Sequence, residues 1–163
     1  MLAYCETAEC RRAGLLRFFG EEAENCSDTD QSCDNCSGSV EVMDGTVFAQ
    51  KLLSAISRTG QIFGKAHVID VLVGNPTEKV TKFGHDHLSV YGIGTELDEA
   101  GWHSVFRQLA SRGMVRIDLE GHNGISLDPR CRSVLRGEEV FLFRKDRLAK
   151  KTTRKRRKKK EMG

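Results

Sequence analysis

DEAGWHSVFRQLASRGMVRIDLEGHNGISL, residues Asp98 to Leu127, carries two hydrophobic periods in succession. Trp102, Val105, Phe106 and Leu109 fall at i, i+3, i+4 and i+7, which is one face of an α-helix, with Asp98 placed to cap its start and Gly113 to end it. Apolar and polar residues then alternate over Met114–Leu119 and again over Ile125–Leu127, on either side of the turn Glu120-Gly121-His122-Asn123-Gly124. That pattern predicts a β-hairpin closed by a glycine-containing loop. The helix shows His103, Ser104, Arg107, Gln108, Ser111 and Arg112 on its other face, donors suited to phosphates and base edges with no acidic residue among them. The same face is equally what any soluble helix turns to water.

Upstream, Phe48, Leu52, Ala55 and Ile56 share a helical face and predict a core helix. Ala66–Gly74 is rich in β-branched residues, and propensity alone favours a strand there. Helices followed by a hairpin make a winged helix, in which the last helix before the hairpin is usually the one presented to a duplex. Gly60-Gln61-Ile62-Phe63-Gly64-Lys65-Ala66 imitates a phosphate-binding loop but fails as one. It has three residues rather than four between its glycines, and Ala66 stands where a magnesium-holding hydroxyl belongs.

The six cysteines are unevenly spread: Cys5, Cys10, Cys26, Cys33, Cys36 and Cys131. The chain opens without a charged segment followed by an apolar one, so no secretory leader is expected and the default compartment is reducing. Cys33-Asp34-Asn35-Cys36 has the two-residue gap that lets two thiolates reach one ion, and Cys10 and Cys26 can complete a tetrahedral zinc site. A redox dithiol is the competing use of such a pair. Cys5 and Cys131 read as a partly exposed and a buried thiol. Between the first two ligands, Leu15, Leu16, Phe18 and Phe19 put an apolar patch on a short helix ended by Gly20.

The charge is divided along the 163 residues: −7 over residues 1–44, 0 over 45–143 and +10 over 144–163. No apolar run approaches the roughly 20 residues of a bilayer span. The basic end seeks polyanions, and its density of like charge predicts disorder in isolation. Beside nucleic acid it would add salt-sensitive, sequence-independent affinity.

Tyr4-Cys5-Glu6, Cys10-Arg11-Arg12, Leu15-Leu16, Phe18-Phe19-Gly20-Glu21 and Cys33-Asp34-Asn35-Cys36 together resemble the zinc module of RecQ DNA helicases. The resemblance continues through Phe63-Gly64, Phe83-Gly84-His85-Asp86-His87-Leu88, Tyr91-Gly92-Ile93-Gly94, Trp102, Arg107-Gln108-Leu109 and Val134-Leu135-Arg136-Gly137. It implies zinc on Cys10, Cys26, Cys33 and Cys36, and a helix rather than a strand at Ala66–Gly74. It also implies a winged helix that binds duplex or branched DNA beside a motor.

The expected fold is therefore mainly α with a small β-wing: a zinc module over 1–38, a linker over 39–45, a winged helix over 46–143 and a disordered basic tail over 144–163. Lys82, His85, His103, Ser104, Arg107 and Arg112 are the candidate DNA contacts, and His122 at the wing tip the candidate strand-separating wedge. His85 and His87 lack a third ligand and suit capping or phosphate contact better than metal. In the resembled enzymes ATP and magnesium belong to the motor, whose P-loop and ATPase motifs this chain lacks. Alone it is expected neither to hydrolyse ATP nor to unwind DNA.

The partners implied are duplex, forked and junction DNA and an upstream helicase core, with no membrane. The location implied is the bacterial cytoplasm at the nucleoid, or the nucleus in a eukaryote. A free-standing winged-helix regulator and a protein-interaction adaptor remain as alternatives.

Overall fold

The computed structural model describes residues 4, 5, 7, 9–26, 32–37 and 41–145. In chain order it contains α1 (Arg11–Phe18), β1 (Val42–Asp44), α2 (Thr46–Arg58), α3 (Lys65–Val73) and α4 (Glu78–Lys82), then a 3-10 turn (His85–His87). There follow α5 (Glu99–Ser111), β2 (Val115–Ile117), β3 (Ile125–Leu127), α6 (Cys131–Leu135) and β4 (Leu142–Arg144). No helix among the described residues is long and apolar enough to cross a membrane.

The core of the larger unit lies where α2, α3 and α5 converge. Leu52, Leu53 and Ile56 of α2, Val68 and Leu72 of α3, and Trp102, Val105 and Leu109 of α5 are buried together, with Ile125 of the wing and Phe141 closing the sides. Burial explains why α3 is a helix despite its β-branched residues. His67, Val68, Val71 and Leu72 reach the interior at helical spacing, and that packing outweighs local strand preference. Gly74 then stops the helix at φ +82°, where its amide returns to the Asp70 and Val71 carbonyls.

The helix and hairpin expected from Asp98–Leu127 are both present. Asp98 accepts a hydrogen bond from the Gly101 amide at 2.8 Å, capping α5, and β2 pairs antiparallel with β3, Val115 opposite Leu127 and Ile117 opposite Ile125. Helices α2, α3 and α5 with this wing make the winged helix.

One element departs from expectation. The stretch read as a linker supplies β1, which pairs antiparallel with β4, Val42 opposite Arg144 and Asp44 opposite Leu142. The basic segment likewise begins inside a strand, at Arg144; residues 146–163, which hold most of the expected tail, lie outside the described residues.

This ribbon packs on the polar side of α5. Gln108, fully buried, donates from Nε2 to the Arg144 carbonyl at 2.8 Å, and its Oε1 accepts from the Arg144 amide at 2.9 Å. One side-chain amide thus supplies the donor and acceptor that a neighbouring strand would have offered. Gln108→Leu strands both backbone groups in the interior and is expected to cost about 2 to 3 kcal/mol. Urea unfolding measures it, and a loss below about 0.5 kcal/mol would show that the ribbon does not depend on the clamp.

Candidate metal centre and nucleic-acid face

Cys10, Cys26, Cys33 and Cys36 bring their sulfurs within 4.8 Å of one another. Cys10 and Cys26 are 3.3 Å apart and Cys10 and Cys33 3.9 Å. Four sulfurs tetrahedrally placed at about 2.3 Å from one zinc ion lie about 3.8 Å from each other, so the cluster has the dimensions of a zinc site. None of the four is in a disulfide.

Local hydrogen bonds preform the cluster. The Cys10 sulfur caps α1, accepting from the Ala13 amide at 3.4 Å, and it accepts from the Cys26 amide at 3.4 Å as well. The Cys33 amide donates to the Cys26 sulfur at 3.3 Å. Asn35 ties the closing knuckle to the chain before Cys10, donating to the Thr7 and Glu9 carbonyls at 2.8 and 2.7 Å. Arg11, next to the first ligand, holds Asp34 between the last two at 2.7 Å.

The electrostatics favour the thiolate at Cys10 and at Cys33. The Ala13 amide, then that of Cys26, draws Cys10 below the ordinary thiol range. For Cys33 desolvation opposes ionisation, but amide donation from Cys36 and Arg11, with the neighbouring thiols, outweighs it and brings the group to about 6. Cys36 moves the other way, raised by desolvation and by the sulfurs of Cys26 and Cys33. Sulfurs this close cannot all ionise without a cation between them, and a divalent ion removes that conflict. The donor set fits structural zinc, and with four protein ligands the ion has no open position for catalysis.

The nucleic-acid candidates are placed less uniformly. Ser104 is buried and takes a hydrogen bond from Gln108 at 3.2 Å. Arg112 lies over the Phe141 ring, 4.4 Å from its centroid, and donates to the Leu142 carbonyl at 2.6 Å. His103 is half-buried, 3.6 Å from Glu99, and Arg107 is half-buried too. The β1–β4 ribbon thus engages the Gln108 and Arg112 side chains of α5. His85 is buried against His67, not directed at solvent. Lys82 is exposed on α4, and His122 is exposed in the turn of the wing.

Three exposed lysines lie on α3 and α4, next to the loop that meets the wing. Lys65 opens α3, and Lys79 and Lys82 stand one turn apart on α4, with Lys79 5.5 Å above the Phe63 ring. The loop before α3 is docked on β3, since the Ile125 amide donates to the Phe63 carbonyl at 3.0 Å and the Leu127 amide to the Gln61 side chain at 2.9 Å. Gln61 adopts a left-handed backbone (φ +59°) to make that contact. Exposed Ile62, Phe83 and Leu119, the last 81% accessible, lie in the same loop, at the end of α4 and in the wing. The sequence signal for this face, scattered lysines across two helices, becomes legible only when the fold joins them.

A thiolate-clamped zinc module leading into a winged helix defines the class, a zinc-bearing winged-helix protein. The family model for the RQC domain matches residues 39–152 and that for RecQ zinc-binding matches residues 1–37. The chain belongs to the RecQ family, of which it is the C-terminal zinc-binding and RQC region. It is 36% identical over 151 residues to the ATP-dependent DNA helicase RecQ of Pasteurella multocida, covering 92% of this chain and 23% of that protein. It is 39% identical over 148 residues to RecQ of Haemophilus influenzae, covering 90% and 23%. To RecQ of Bacillus subtilis it is 32% identical over 149 residues, covering 91% and 24%. The chain therefore spans about a quarter of the length of these relatives.

Proposed function

We propose that this chain is the DNA-gripping region of a RecQ-type 3'–5' helicase acting in DNA repair, recombination and replication, binding duplex or forked DNA and assisting strand separation. The observation that carries the reading is the match of two family modules in order. ATP and magnesium would serve the motor of the whole protein. The role of this region is to bind and orient.

Lys65, Lys79 and Lys82 are the residues we assign to backbone phosphates. Helix α3 supports them, because its start has no acidic residue in the first turn and no side-chain cap, leaving amides able to face an anion. The wing turn, with exposed His122 and Leu119, is the part we assign to the duplex end. Arg107 and His103, half-buried on α5, are secondary contacts in this scheme, while Ser104, His85 and Arg112 serve the fold.

Binding of a fork, a blunt duplex and a single strand across a salt series tests the reading. Lys65→Glu, Lys79→Glu and Lys82→Glu combined are expected to weaken fork binding roughly 100-fold and flatten the log–log salt slope by about 3. An unchanged slope would remove these lysines from the interface. A chain ending at Lys145 that loses all DNA affinity would favour the adaptor reading, and sequence discrimination of roughly 10³ or more would favour a site-specific regulator.

A further inference from the structure

Two imidazoles in the winged-helix core are used by neither the zinc site nor the lysine face. His67 on the first turn of α3 and His85 in the 3-10 turn are only 5% and 9% exposed, and His67 Nε2 lies 2.7 Å from His85 Nδ1. At that distance one nitrogen donates and the other accepts, which requires the accepting ring to be neutral. Phe63 stacks on His67 with centroids 4.4 Å apart, and Phe83 lies along His85 at 6.0 Å. The outer nitrogen of His67, Nδ1, is buried without a partner. A proton added between the rings sets donor against donor, and one added at Nδ1 places a charged N–H in a buried site with no acceptor.

The charged groups around the pair do not rescue the cation. Asp70 on α3 and Asp86 in the turn favour it, and Lys79 from α4 opposes it. Burial is the largest influence on both rings, and His67 is drawn down to about 4 from the usual 6.5.

The pair joins α3 to the turn that follows α4, so it closes the loop on which Lys79 and Lys82 are carried. Phe63, stacked on the same ring, also presents the carbonyl that binds the wing at Ile125. We propose that His67 and His85 form an acid-releasable clasp, whose opening frees α4 and the wing from the core together. The sign follows from the depressed affinity for protons. The clasp is fully effective above pH 6.5 and is lost progressively as pH falls from 6.5 toward 4, because the open form takes up protons that the closed form refuses.

Amide hydrogen exchange on the zinc-loaded full chain, corrected for intrinsic rate, tests the clasp between pH 7.5 and 5. Protection over residues 61–63 and 78–84 is expected to fall roughly thirty-fold by pH 5, tenfold per unit below 6.5, while residues 102–109 of α5 keep theirs. Zinc content and protection of residues 11–18 are followed in parallel, to separate clasp opening from metal loss. His67→Gln with His85→Asn replaces each bonding nitrogen by an amide that cannot titrate, and its protection over the same segments is expected to be flat with pH. Unchanged wild-type protection at pH 5 would overturn the proposal, as would the same pH response in the double variant. If that variant does not fold, the wild-type profile decides alone.

The DNA consequence rests on the function proposed above. Fork affinity at constant ionic strength should fall from pH 7 to 5 in the wild type in proportion to the closed fraction that exchange gives, and not in the variant. Opening of most molecules at pH 5 without any loss of affinity would leave the clasp standing and overturn the lysine face.

Discussion

Cys10→Ser is expected to reduce bound zinc from one ion per chain to below about 0.1 and to unfold the N-terminal module, while the winged helix keeps its own unfolding transition. The module cannot compensate from packing. Among the described residues its interior consists of Cys10, Ala13 and Cys26, with Ala23 and Cys33 partly buried against them, and the large apolar side chains at the end of α1, Phe18 and Phe19, are exposed. Bound zinc is worth on the order of 10 kcal/mol to such a unit, more than a cluster of that size can supply. Cys10 is the sharpest site for the test because its sulfur is buried and receives the Ala13 and Cys26 amides, and serine, itself a good helix cap, keeps an acceptor there while losing the thiolate bond to the metal. Metal analysis and limited proteolysis read the outcome. Stoichiometric zinc in the variant, or undiminished protease resistance over residues 4–37, would mean that Cys10 is not a ligand.

The second large effect belongs to the other core. Trp102→Ala is expected to destabilise the winged helix by about 3 to 5 kcal/mol, seen as a lower urea midpoint and a fall in melting temperature of roughly 15 °C or more. Trp102 is fully buried, its ring meets Phe48 edge-on with centroids 5.9 Å apart, and its Nε1 donates to the Gly94 carbonyl at 3.0 Å. Gly94 is part of the same fit, since a Cβ there would stand 2.9 Å from the indole and 2.8 Å from Leu72. The alanine variant therefore opens a cavity and strands a carbonyl at once. Trp102→Phe keeps most of the volume and loses the hydrogen bond, so about 1 to 2 kcal/mol is expected of it. A loss below about 1.5 kcal/mol for the alanine variant would show that neighbouring side chains collapse into the space.

What the sequence disclosed was whatever is encoded locally. Four cysteines over 27 residues, from Cys10 to Cys36, declare a metal cluster by spacing, and the cap, stripe and stop of α5 followed by an alternating hairpin declare the wing. What it concealed was decided by distant partners. Strands β1 and β4 have three residues each and lie about 100 positions apart, so neither announces itself. Yet their ribbon takes the polar side of α5 that composition assigns to DNA. Ser104 and Gln108 look like solvent-facing donors until that cover is in place. His85 was similarly unreadable, because its partner His67 sits in a helix whose β-branched composition points to a strand.

The ribbon has a mechanical consequence. The chain enters the winged helix along β1 and leaves along β4, and because Val42 faces Arg144 the incoming and outgoing ends emerge at the same edge. Tension between the flanking segments is therefore borne in unzipping geometry, one pair of backbone bonds after another, rather than shared across the ribbon in shear. The first bond in line is the Lys145 amide to the Glu41 carbonyl. Under load the two ends part there before the hydrophobic interior carries any of the strain.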